Sequence, residues 1–86
     1  MKQDSVIVKN EVGLHARPAA LIVKEATKYK SKINIIKGEN SYNGKSIISV
    51  LSMCAIKNDE LTILAEGEDE CEAISAIKEL IANYEE

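Results

Sequence analysis

The chain has one histidine, His15, set in the run Gly13-Leu14-His15-Ala16-Arg17-Pro18. The run follows a strand-like segment and opens a helix-like one, so His15 falls at the helix N-cap or one residue from it. A side chain there faces the amides of Ala16, Arg17 and their neighbours, which lack helical partners and carry the positive end of the helix dipole. Such a place favours an anion, phosphate above all. Neutral imidazole offers phosphorus a nitrogen lone pair. Arg17 can present paired planar donors to a phosphoryl group carried on His15. Pro18 stiffens the first turn, where its missing N–H costs nothing. Taken singly, the histidine also reads as an exposed cap and the arginine as a surface charge. The combination is what points to phosphoryl chemistry.

Ser46 is the second candidate. It opens a short helix from Ile47 to about Met53, and as a plain N-cap its hydroxyl is worth about 1 kcal/mol. Ile47, Ile48 and Leu51 cannot all point inward from so short a helix. With Ala20, some of them form an apolar docking patch beside His15, while ordinary core packing would use the same residues. Lys24, Lys28 and Lys45 are placed to ring that patch and steer acidic partners.

Composition removes other classes. Eleven Lys and Arg against fourteen Asp and Glu give a net charge of −3, and three Tyr stand with no Phe or Trp. Nucleic acid would need a basic excess and stacking faces, so no direct nucleic-acid contact is expected. The longest apolar runs, such as Ala19–Val23, fall far short of the ~20 residues of a membrane span. The start of the chain carries no secretory apolar region, which predicts a cytoplasmic location and no membrane insertion. Cys54 and Cys71 match no metal or CxxC spacing and lie in apolar-rich segments, so they are expected as buried free thiols. With one histidine there is no metal site to build, and no cofactor is expected.

The elements that must hold these groups follow from pattern. Ser5–Lys9 reads as a first strand and Ala16 to about Lys28 as a helix whose inner face is Ala16, Ala19, Ala20, Val23 and Ala26. Lys32–Lys37 and Asn40–Asn43 are strands joined by Gly38-Glu39, the Gly-X form of a two-residue hairpin turn. Leu61–Ala65 is a fourth strand. A last helix runs from about Asp69 to Asn83, with a stripe of Ile74, Ile77, Ile81 and Tyr84 flanked by Cys71 and Leu80. The order βαββαβα, with four strands and one tight hairpin, predicts an α+β fold. It is a mainly antiparallel sheet with helices on one face. Residues 1–86 read as a single domain without repeat or linker.

Residues 13–18, GLHARP, together with Asn43-Gly44-Lys45-Ser46-Ile47 before the short helix, resemble the histidine-containing phosphocarrier (HPr) family of the bacterial phosphoenolpyruvate-dependent sugar phosphotransferase system. The likeness covers the whole chain. It implies an open-faced β-sandwich, a four-stranded antiparallel sheet with three helices on one side. It implies that His15 accepts a phosphoryl group from phospho-enzyme I through the ring nitrogen nearer the backbone and passes it to enzyme IIA domains. Arg17 would steady the phosphate, and the Ala16, Arg17 and Pro18 backbone would position it. The chain would then be a monomeric carrier rather than a stand-alone enzyme. The resemblance also implies regulatory phosphorylation of Ser46 by an HPr kinase/phosphorylase and binding of that form to a catabolite-control repressor. A corepressor acting mainly through Ser46 is the alternative function. Paralogues of the nitrogen-regulatory branch share the chemistry and differ in partners. A small phosphatase would want a glycine-rich phosphate loop, for which Gly13 alone is a weak substitute. Ser49 and Cys54 replace residues that are small in many members, and Ile48 and Leu51 often replace Met. These departures bear on partner preference. Paralogues without the histidine are regulatory only, and His15 argues against that reading.

Overall fold

The computed structural model describes residues 1–84, in the order β1 (Lys2–Ile7), α1 (Ala16–Ala26), β2 (Lys32–Lys37), β3 (Asn40–Asn43), α2 (Ile47–Ser52), β4 (Glu60–Glu66) and α3 (Glu70–Asn83). The strands form one antiparallel sheet in the order β1-β4-β2-β3. The fold is the α+β open-faced sandwich expected from the sequence.

Alternation along the strands decides which side the helices cover. Ile33 and Ile35 of β2 and Leu61, Ile63 and Ala65 of β4 are buried, while Asn34, Ile36, Thr62 and Leu64 between them are only partly covered. Onto the buried face pack Ala19, Ile22 and Ala26 of α1, Val50 of α2, and Ala73, Ile74, Ile77 and Ile81 of α3. The β2–β3 hairpin turns at Gly38, whose φ of +62° suits a first turn position open to glycine.

Several boundaries and faces differ from the sequence reading. β1 starts at Lys2 and ends at Ile7 because backbone pairing to β4, from Lys2 opposite Ala65 to Ile7 opposite Glu60, carries this edge strand. Its first four residues bury nothing, so no apolar pattern marked them. α1 ends at Ala26, where the Thr27 amide reaches back to Val23 and the Thr27 hydroxyl to the Lys24 carbonyl. Its inner face is Pro18, Ala19, Ile22 and Ala26. Ala16 and Ala20 are exposed, because the larger Ile22 sets the rotation of the helix on the sheet.

Both cysteines are free but exposed, not buried. Cys71 lies on α3 beside its inner stripe, and Cys54 follows α2 at φ +52°, in the turn that leaves the helix. Tyr84 and Leu80 are partly covered, whereas Ala73, absent from the predicted stripe, is fully buried.

Asp69, the N-cap residue of α3, ties that helix to the α1–β2 connection. Its carboxylate accepts the Lys30 amide at 2.8 Å, the Ser31 amide at 2.9 Å, and the hydroxyl of the buried Ser31. The Ser31 hydroxyl, then the Lys30 amide, hold this carboxyl down at about 2.

Candidate functional site

The loop between β1 and α1 is fixed before it reaches His15. Buried Asn10 donates from Nδ2 to the Gly13 carbonyl at 2.6 Å, and its own carbonyl accepts the Gly13 amide at 3.2 Å. Gly13 has φ +68°, and a Cβ there would stand 2.3 Å from the Ala55 carbonyl oxygen. That same oxygen accepts the Leu14 amide at 3.0 Å, and the Leu14 side chain is buried. Stitched in this way to the turn between α2 and β4, the loop delivers His15 to the surface.

His15 is the N-cap of α1, with extended backbone at φ −85° and ψ −162°. Its carbonyl takes the Ala19 amide at 3.0 Å as the first helical bond. His15, Ala16 and Arg17 are exposed, and Pro18 is buried, so the proline anchors the turn while its neighbours stay accessible. Arg17, Ala20, Leu21 and Lys24 follow at three- and four-residue steps along the exposed face of α1. The ion pairs found among the described residues use neither Arg17 nor Lys24. An anion at His15 would therefore meet helix amides and an arginine on one accessible surface.

A shallow depression of about 250 Å³ borders His15, lined by Val12, Leu14, Leu51, Cys54, Ala55 and Ile56. Much of its rim is exposed apolar surface: Ile56 is 62% exposed and Val12 54%. Ile47, Ile48 and Leu51 share the outer face of α2, and Ile48 is 77% exposed. Val50 is buried in that helix and Met53 at its end, so the three outer residues are free of the core. Val12, Leu21 and Ile56 add exposed apolar surface that the sequence pattern does not assign to this face. Val12 and Ile56 lie in connections with no periodicity, where nothing in the residue pattern separates them from their buried neighbours Leu14 and Ala55.

Ser46 is the N-cap of α2 and half-buried; its hydroxyl accepts the Ser49 amide at 3.3 Å and its carbonyl the Val50 amide at 3.0 Å. Ser49 contributes too, because its hydroxyl accepts the Asn43 amide at 2.8 Å. The basic rim is smaller than the sequence suggested. Lys28 pairs with Glu25 at 3.1 Å, and half-buried Lys45 donates to the Tyr29 carbonyl at 2.7 Å, so of the three lysines Lys24 remains beside Arg17. Near the depression, Asp59 is held below the usual carboxylate range by the Ile56 amide and then by Lys37, and Glu11 by Lys57 at 2.7 Å.

No group of three or more metal-ligating side chains occurs among the described residues, and no helix among them is long and apolar enough to cross a membrane.

The sequence profile described as "PTS HPr component phosphorylation site" matches residues 2–83. The phosphocarrier protein HPr of Mycoplasma pneumoniae is 44% identical over 86 residues, covering 99% of this chain and 98% of that protein. The crystal structure of HPr-C-His from Thermoanaerobacter tengcongensis superposes with a TM-score of 0.90 at 43% identity, covering 94% of this chain and 91% of that one. Crh of Bacillus subtilis, described as a catabolite repression protein and crystallised as a domain-swapped dimer, gives 0.76 at 38% identity, over 94% and 93% of the two chains.

Proposed function

The chain belongs to the HPr family of phosphocarrier proteins, which are not stand-alone enzymes, and from this we propose that His15 is the residue that carries its phosphoryl group. The observation that carries this reading is the exposed imidazole at the N-cap of an 11-residue helix, with Arg17 two positions on. In the step we propose, the His15 ring nitrogen nearer the backbone attacks phosphorus of a phosphohistidine on enzyme I. A new P–N bond forms while the donor P–N bond breaks and its electron pair returns to the donor imidazole. The reverse geometry passes the group to a histidine of an enzyme IIA domain. Imidazole leaves well, so the group stays at high transfer potential on either protein. Positioning and charge neutralisation are the whole of the catalytic demand, which Arg17 and the Ala16–Pro18 turn are placed to meet.

Residues 1–86 act as one carrier domain in this reading. Ala20, Lys24, Ile47, Ile48 and Leu51 form the surface over which the two partners dock in turn. Their exposure and shared faces on α1 and α2 support it. The protein works in the cytoplasm as a monomer. For the oligomeric state alone, support comes from the weaker superposition on the T. tengcongensis HPr dimer, at 0.74, than on that organism's HPr-C-His structure, at 0.90.

A second reading concerns Ser46. Similarity to a catabolite repression protein supports phosphorylation of Ser46 by a kinase and binding of that form to a catabolite-control repressor. Incubation with ATP and an HPr kinase, followed by mass analysis, tests it: an acid-stable gain lost in Ser46→Ala supports this branch, and no gain removes it. For His15 the test is an acid-labile phosphoryl gain from phosphoenolpyruvate and enzyme I, absent in His15→Ala.

A further inference from the structure

We propose that Lys37 is a positioning residue for the phosphoryl-accepting loop, acting through the turn between α2 and β4. The proposal rests on the reading of His15 as the acceptor.

Lys37 ends β2 on the strand face shared with buried Ile33 and Ile35, which points it at the end of α2 rather than into solvent. Its ammonium donates to the Met53 and Cys54 carbonyls at 3.2 Å each and lies 3.3 Å from the Asp59 carboxylate. These are three acceptors for the three ammonium protons. The two carbonyls stand at the negative end of α2, where a cation is favoured.

The turn needs such a hold. Cys54 sits at φ +52° and Asn58 at φ +77°, left-handed conformations that side chains rarely adopt. Ala55, between the two gripped flanks, supplies the carbonyl that accepts the Leu14 amide and that leaves Gly13 no room for a Cβ. Asp59 closes the other side by accepting the Ile56 amide at 2.9 Å. Lys37 therefore holds residues 53 and 54 before Ala55 and residue 59 after it. The oxygen against which the His15 loop rests is fixed from both directions. With only about a third of the Lys37 side chain exposed, solvent screens these contacts less than it does a surface pair.

The test compares Lys37→Met, Lys37→Gln and Lys37→Arg with the wild type, and uses Lys78→Met, which breaks the remote Asp4 pair, as a control. Two quantities are read: hydrogen exchange of the Leu14 amide relative to global opening, and phosphorylation by phosphoenolpyruvate and enzyme I with kcat and KM separated. Lys37→Met is expected to speed Leu14 exchange and to lower kcat, each by about tenfold, with KM nearly unchanged. Lys37→Gln, which keeps a donor but loses the charge, falls between, and Lys37→Arg recovers most of both. Lys78→Met leaves both at wild-type values. Unchanged Leu14 exchange in the Met and Gln variants, or an equal change in Lys78→Met, overturns the proposal. If the wild type accepts no phosphoryl group, the reading of His15 fails, and Leu14 exchange still decides the role of Lys37.

Discussion

Gly13 and Ala55 meet with no room for a side chain between them: a Cβ on Gly13 would lie 2.3 Å from the Ala55 carbonyl oxygen, which also accepts the next amide, that of Leu14. The pair sets where the chain turns into α1, and so where His15 emerges. Gly13→Ala must both adopt φ near +68° and push a backbone oxygen aside. A loss of roughly 1–3 kcal/mol is expected in urea unfolding. Slower phosphorylation of His15 by enzyme I should accompany it.

Ser46 has a structural role besides any regulatory one. Ser46→Ala removes the acceptor for the Ser49 amide and is expected to cost about 1 kcal/mol. In a domain of this size that corresponds to a fall in Tm of about 4–8 °C. Ser46→Asp keeps a capping acceptor and should unfold near the wild-type temperature by calorimetry.

Much of the candidate site is legible in the sequence because it is local. In the GLHARP run the residues proposed to act are adjacent, and the caps at His15 and Ser46 follow from residue type ahead of a periodic segment. What stayed hidden depends on contacts distant in sequence. The first residues of β1 are held by pairing to the distant β4, Lys2 opposite Ala65 and Ser5 opposite Thr62, and have no apolar signal of their own. Four alanines made the inner face of α1 ambiguous, and only packing against the sheet selects Ile22 over Ala16 and Ala20. Cys54 reads as buried because its segment is apolar-rich, yet the left-handed turn at that residue exposes it beside His15. The diversion of Lys45 to the Tyr29 carbonyl could not be read from charge alone.

Acid stability should depend on Asp69. Its carboxyl titrates at about 2 in the folded protein against 3.8 ordinarily, so the unfolded chain binds the proton first as pH falls. The stabilisation is complete above pH 3.8, declines between 3.8 and 2, and is gone below. Asp69→Asn should flatten that limb of the stability–pH curve measured by urea unfolding. An unchanged slope would count against the tie between Asp69 and Ser31.

Ile48 tests the docking surface. It is 77% exposed, so Ile48→Asp should leave Tm within a degree or two of wild type. If α2 meets enzyme I, KM for phosphorylation rises about tenfold while kcat changes little.

Whether His15 carries the phosphoryl group is decided by the mass of the intact protein after incubation with phosphoenolpyruvate and enzyme I. The expected result is a gain of one phosphoryl group, lost on acid treatment, absent in His15→Ala and retained in Ser46→Ala. A wild type that never gains it, or a His15→Ala variant that does, would remove His15 as the carrier.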